Sequence, residues 1–301
     1  MTRLTKVAAA AKAAETAAIE KIATLVKTGS RTVAVRRLHQ GRAGNATDSI
    51  AEEVPIALEY NGISHAVMLA TPLDLDDFAL GFSLAEGMIA HPDEYYGMQI
   101  ERSALGITLH LEIASAAFAR LKDRRRTLAG RTGCGLCGTE SLAKVARELP
   151  PLGDGPRFDA VAINRAMADL HAHQLLHQAT GAVHAAAWCE GDGTLRHLRE
   201  DVGRHNALDK LIGALAAQHV DAPQGFIAIT SRASFEMVQK SVAAGVTLLA
   251  AISAPTTLAV DSARAARLTL AGFVRDDKFT LYTDEAARLQ FIEPEDHPNA
   301  S

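Results

Sequence analysis

The chain has 301 residues, 48% of them hydrophobic and 22% charged, with 31 basic against 35 acidic side chains and a formal net charge of −4. A chain of this size and balance can bury a core without staples, and its small acidic excess excludes broad binding to nucleic acid or anionic membranes. Three cysteines are too few for a secreted disulfide framework, no stretch nears the roughly 20 apolar residues of a membrane span, and the N-terminus lacks a signal-peptide pattern, so a cytoplasmic setting is expected.

Residues 1 to 30 are alanine-rich (Ala8 to Ala14, then Ala17 and Ala18 with Glu15 and Glu20 between them), which predicts a solvated helix serving as an accessory extension. Val54, Ile56, Leu58 and Tyr60 alternate with other residues up to Asn61-Gly62, and alternation resumes from Ile63 to Leu69. Asn-Gly between alternating runs predicts a hairpin, because both turn residues must accept positive φ. A helix is expected from Asp76 to Met88 and a strand over Ile107 to Ile113. These elements describe a small α+β domain over residues 31–127.

The pattern then changes. Lys122 to Arg126 is a basic run that suits a solvated helix end, and equally an anion-attracting approach to the glycine loop Gly133-Cys134-Gly135-Leu136-Cys137-Gly138. Beyond the loop, helices are expected near 139–148, 165–178, 206–217, 235–244 and 257–266, with strands near 183–189, 194–199, 225–230, 247–252, 268–274 and 279–282. That alternation predicts an α/β layer over residues 128–301.

The glycine loop carries the most chemistry. It satisfies G-x-G-x-x-G literally, but no apolar strand feeds it, as a dinucleotide turn requires. Cys134 and Cys137 supply two zinc ligands where four are normal, so Cys189 and His184 would have to complete a structural site. Thiol chemistry is the third reading: Arg131 and a helix starting near Thr139 would stabilise a thiolate at Cys134 or Cys137, for disulfide exchange or as an acceptor of sulfane sulfur. His184 follows a glycine break at the start of a strand, and core packing competes there with a functional role. The deaminase pattern H-x-E…P-C-x-x-C is not met, because position 186 is alanine and the cysteines precede the histidine.

Three further segments suit phosphate. Glu200-Asp-Val-Gly-Arg204-His205-Asn206-Ala-Leu-Asp209-Lys210 crowds polar groups before an apolar-periodic helix, with Asn206 a candidate N-cap. Thr230-Ser231-Arg232-Ala-Ser234 and Ser253-Ala-Pro-Thr256 each follow an apolar strand, where α/β sheets bind ligands. Gly272-Phe273-Val274-Arg275-Asp276-Asp277-Lys278 joins two expected strands and is either a plain surface turn or a source of cations.

Taken together, Arg131 to Gly138, Thr180 to Ala187, Glu200 to Lys210, and Thr230 to Val274 with Glu236 to Lys240 resemble the FdhD family of formate dehydrogenase accessory proteins. The hairpin and Ala79 to Gly87 are similar to its N-terminal half, and the resemblance spans roughly residues 32–284. The alanine-rich extension and the Arg232-Ala-Ser-Phe235 loop depart from the family pattern. The resemblance implies a cytidine-deaminase-like α/β domain without deaminase chemistry, behind a smaller α+β domain. It implies a sulfurtransferase that takes sulfur from a cysteine desulfurase as a persulfide on Cys134, assisted by Cys137. The sulfur then goes to the bis-molybdopterin guanine dinucleotide molybdenum cofactor of formate dehydrogenase. It places that cofactor against Phe273, Val274, Arg275, Asp276, Asp277, Lys278, His184, Asp201, Arg204, His205 and Ser231, with no resident metal. A homodimer is compatible with it. A cofactor-binding chaperone without sulfur transfer and a zinc-stabilised module are the rival readings.

Overall fold

The computed structural model describes residues 29–129 and 149–291. The helix expected over residues 1–30 falls almost wholly outside the described residues, as do the helix expected near 139–148 and both loop cysteines. The chain forms two compact units and passes between them several times. The first holds described residues 29–129, 172–186 and 197–220; the second holds 149–171, 187–196 and 221–291.

The first unit begins with a two-stranded ribbon, β1 (Ser30–His39) and β2 (Arg42–Ala51), turning at Gln40 and Gly41. A separate four-stranded sheet follows in the order β4-β3-β6-β5. Its strands are β3 (Val54–Tyr60), β4 (Ile63–Ala70), β5 (Tyr95–Ser103) and β6 (Gly106–Ile113). The expected Asn61-Gly62 turn is there, with φ of 45° and 81°. Asn61 does more than turn the chain: its amide exchanges hydrogen bonds with Ile113 N and O at 2.9 and 3.0 Å, tying the turn to β6. Ile56, Leu58 and Tyr60 alternate onto the buried face, where Phe78 and Phe82 of α1 (Leu75–Ala85) cover them together with Leu109 and Leu111. Helix α2 (Ser115–Ala129) adds Ala117 and Leu121.

The same unit contains α4 (Leu175–Thr180) and α5 (Arg204–Ala217). Helix α5 packs on α1 with almost no side chain between them. A Cβ at Gly81 would lie 1.8 Å from Asp209 O, and one at Gly213 would lie 1.9 Å from Asp77 O, so only glycine permits this crossing. The packing therefore divides the chain differently from a single boundary at residue 127. Residues 172–186 and 197–220 belong with the N-terminal sheet, joined by backbone-close contacts that no local pattern announces.

In the second unit, β10 (Gly225–Ile229), β11 (Leu248–Ala251) and β12 (Thr269–Arg275) run parallel, and β13 (Lys278–Thr283) returns antiparallel to β12. The sheet order is β13-β12-β11-β10-β8-β9. Here β8 (His184–Glu190) and β9 (Leu195–Asp201) contribute residues 187–190 and 195–196. Strands β10 to β12 are almost wholly buried, as parallel strands covered on both faces must be. Helices α3 (Ala160–His173), α6 (Phe235–Ala243) and α7 (Thr257–Ala265) complete the layer, and β7 (Phe158–Asp159) pairs with β14 (Leu289–Gln290). Arg288, 1% exposed, donates to the carbonyls of Gly153, Asp154 and Arg267 and so pins the loop before β7. The mixed α/β class expected from the sequence is the one observed. Among the described residues no helix is long and apolar enough to cross a membrane.

Candidate functional site

The expected site residues fall into two clusters, one in each unit. In the first unit, Asp201 ends β9 and is fully buried. Its Oδ2 accepts from Thr71 N at 2.9 Å, Thr71 Oγ1 at 2.8 Å and the Lys210 ammonium at 2.6 Å. Its Oδ1 accepts from Gly203 N at 2.8 Å and Asn206 Nδ2 at 3.1 Å. A carboxylate offers about four lone-pair sites, and five donors already occupy them. Lys210 is equally enclosed; its Nζ also donates to Thr71 Oγ1 and O at 2.7 and 3.1 Å. Burial pulls its ammonium below the usual value, against the opposing pull of Asp201. The pair ties β4, β9 and α5 together, and leaves Asp201 no free oxygen for a ligand.

Its neighbours divide likewise. Glu200 caps α4, accepting from Leu176 N at 2.8 Å and His177 N at 2.9 Å. Asn206 is not the N-cap of α5; Gly203 holds that position, and Asn206 reaches from inside the helix to Leu69 O at 2.8 Å. Arg204 and His205 form the first turn of α5, both part-buried, and the buried Arg204 Nε has no acceptor among the described residues. His184 is part-buried at the start of β8.

In the second unit, the loops after three parallel strands lie side by side. Ile252 N donates to Ile229 O (3.0 Å), Thr256 N to Ala233 O (3.1 Å) and Phe273 N to Ser253 O (3.3 Å), while Ala233 and Pro255 form a parallel bridge. This is the carboxyl end of the sheet, where open α/β layers bind ligands. Ser231 is 5% exposed and donates to Arg232 O at 3.0 Å. The two helix N-caps here differ. Thr256 accepts from Ala259 N at 3.3 Å, whereas Ser234 makes no capping bond and its buried Oγ has no partner among the described residues. Arg232 beside it is exposed.

The end of β12 is strained. Phe273 has φ of 54° and sits where the β12–β13 register shifts between Gly272 and Arg275. An aromatic residue in the left-handed region costs about 1–2 kcal/mol, the kind of outlier that persists at functional sites. The strain leaves the ring exposed, with the Arg275 guanidinium 5.9 Å from its centroid. Gly272 allows the approach, since a Cβ there would meet Pro255 Cδ at 3.1 Å and Ser253 O at 3.2 Å. Asp276 and Asp277, with φ of 52° and 58°, make a two-residue turn of the I′ kind. The expected surface turn is therefore present, and it holds Arg275, Asp276, Asp277 and Lys278 all exposed. Val274 beside them is fully buried.

Within the second unit, the open N-cap at Ser234 and the Arg275 and Lys278 cations suit an anionic ligand carrying phosphates. Sequence reasoning missed Thr71, which lies 130 residues from Asp201. Cys189 is fully buried, and burial, with Asp169 and Asp192 nearby, pushes its thiol up to about 12, which makes it a poor nucleophile. Among the described residues no group of three or more His, Cys, Asp and Glu is arranged to hold a metal ion.

Comparison with known proteins gives a consistent picture. The model of the FdhD/NarQ family matches residues 51–289. The chain is 61% identical over 249 residues to the sulfur carrier protein FdhD of Variovorax paradoxus, covering 83% of this chain and 90% of that one. It is 56% identical over 259 residues to the protein of the same name from Cupriavidus necator, covering 86% and 90%. The crystal structure of a candidate formate dehydrogenase accessory protein from Desulfotalea psychrophila matches with a TM-score of 0.68 at 21% identity, covering 85% of this chain and 98% of that one. At that identity the likeness concerns the fold alone.

Proposed function

Because the chain belongs to the FdhD/NarQ family, we propose that it is a sulfur carrier for formate dehydrogenase, a sulfurtransferase working through a persulfide on Cys134. The observation that carries this reading is the Cys134–Cys137 pair, which lies inside the matched segment of residues 51–289 shared with relatives named as sulfur carriers. Of the three cysteines, Cys189 is sealed in the core, which leaves the chemistry to these two.

The Cys134 thiolate attacks the terminal sulfur of a persulfide on a cysteine desulfurase. An S–S bond forms on Cys134 and the desulfurase cysteine leaves as a thiolate. The Cys137 thiolate then attacks the inner sulfur of Cys134, forming a Cys134–Cys137 disulfide and expelling the outer sulfur as hydrosulfide. A thiol reductant resets the pair. The acceptor is the molybdenum of bis-molybdopterin guanine dinucleotide, bound as a substrate before its insertion into formate dehydrogenase. In the second unit, Arg275, Lys278 and the open α6 N-terminus at Ser234 supply positive charge for its phosphates, Ser231 adds a polar atom and Phe273 offers an exposed ring for stacking. In the first unit, Arg204, His205 and His184 are candidates for separate polar contacts. The exposed carboxylates of Asp276 and Asp277 are suited to accept guanine N–H groups, a task for which Asp201 has no free oxygen.

Activation of formate dehydrogenase in cells lacking the native carrier tests the reading. Cys134→Ala should fold with an unchanged melting temperature and give no active enzyme. Full activation by that variant would remove Cys134 from the mechanism.

A further inference from the structure

We propose that the β1–β2 ribbon is a docking arm, which takes an acidic, extended segment of a partner protein as a third strand along β2. Four arginines against one aspartate give residues 30–51 a formal charge of +3, His39 neutral, in a chain whose net charge is −4. The charge is concentrated toward the turn: Arg36, Arg37, His39 and Arg42 are all exposed, and no carboxylate occurs between residues 36 and 47. Arg31 and Arg37 pair with Glu52 and Asp48 at 3.3 and 3.2 Å, while Arg36 and Arg42 have no ion-pair partner among the described residues.

The ribbon's two edges differ. β1 carries Arg31, Arg36 and Arg37, the charges by which proteins blunt a free edge. β2 has Arg42 at the turn and Asp48 paired with Arg37, but its run Ala43 to Thr47 between them carries no charge and no proline, and all of that run but Ala46 is exposed. Among the described residues no third strand pairs with the ribbon. The ribbon rests in part on α4, but two strands alone are marginal in water, and an added strand is the usual way such an edge is used. The small side chains of β2 let β1 cations reach over it: the Arg37 guanidinium already lies 3.4 Å from Thr47 O. A strand seated on β2 would therefore bring its own side chains within reach of arginines, which selects glutamate and aspartate.

The test uses the full chain and a fluorescent ten-residue peptide alternating glutamate and valine, read by anisotropy. Saturable binding is expected, weaker at high salt, absent for the lysine–valine counterpart, and reduced roughly tenfold or more by Arg36→Glu/Arg42→Glu. Circular dichroism should show that variant folded; if it is not, Arg36→Gln/Arg42→Gln replaces it with the same expected direction. Equal binding by wild type and variant overturns the proposal. So does equal binding of a peptide N-methylated on alternate amides, which cannot add as a strand. Ribbon-dependent binding of a short RNA in place of the acidic peptide, or a change of oligomeric mass in the variant, would assign the arm to nucleic acid or to a second copy of the chain.

Discussion

The β9–α5 junction and the β12–β13 hairpin look alike in sequence: each is a short run of arginine, aspartate and lysine beside a glycine. They behave in opposite ways. At the junction Asp201 and Lys210 pair in the core, and Thr71 and Asn206 donate to the same carboxylate. At the hairpin Arg275, Asp276, Asp277 and Lys278 are left to solvent around a strained Phe273. The difference teaches that a polar motif is a ligand site only where the protein's own groups leave it open or hold it under strain.

Asp201→Asn breaks this contrast most severely. It leaves Lys210 charged and uncompensated in the core, so a loss of about 3–5 kcal/mol is expected from urea unfolding. Asp201→Asn/Lys210→Met should recover much of it. A variant of unchanged stability that fails only in activation would instead make Asp201 a ligand contact.

Phe273→Gly reverses the pattern. Glycine removes the cost of φ 54°, so stability should fall by no more than about 1 kcal/mol and could rise. Activation of formate dehydrogenase should drop, because ring and guanidinium are no longer presented together. Normal activation would mean that the strain serves packing alone.

The smallest effect lies on the N-terminal sheet. His110 bonds Glu101 at 2.9 Å and Glu59 at 3.1 Å, in that order of influence raising its pKa above the usual 6.5. The protonated form is thus favoured by folding. Its stabilisation is complete below the unfolded value of about 6.5 and is lost as pH rises through the raised folded value. The pair is solvent-exposed, so screening limits it to on the order of 0.5 kcal/mol. Unfolding midpoints across that window should show the decline in wild type and not in His110→Gln.

The sequence made one layer of this account legible and hid another. Alternating runs such as Val54 to Tyr60 and the Asn61-Gly62 turn declare themselves, because one buried face imposes period two. The ribbon over residues 30–51 did not: both faces are largely exposed, so no alternation is imposed. Nor did the Asp201–Thr71 bonds or the Gly81–Gly213 crossing, which depend on residues more than 100 positions apart. At the hairpin, Arg275 and Lys278 could be read as cations, but the positive φ of Phe273 could not, since nothing in an aromatic side chain signals it.

The central claim is the persulfide. Mass spectrometry of the peptide holding Cys134 and Cys137, after incubation with a cysteine desulfurase and free cysteine without reductant, tests it most directly. The account predicts one added sulfur on Cys134 that is absent when the desulfurase is omitted. An unmodified peptide beside an active desulfurase, with both thiols accessible to alkylation, would contradict it and leave a cofactor-binding chaperone in its place.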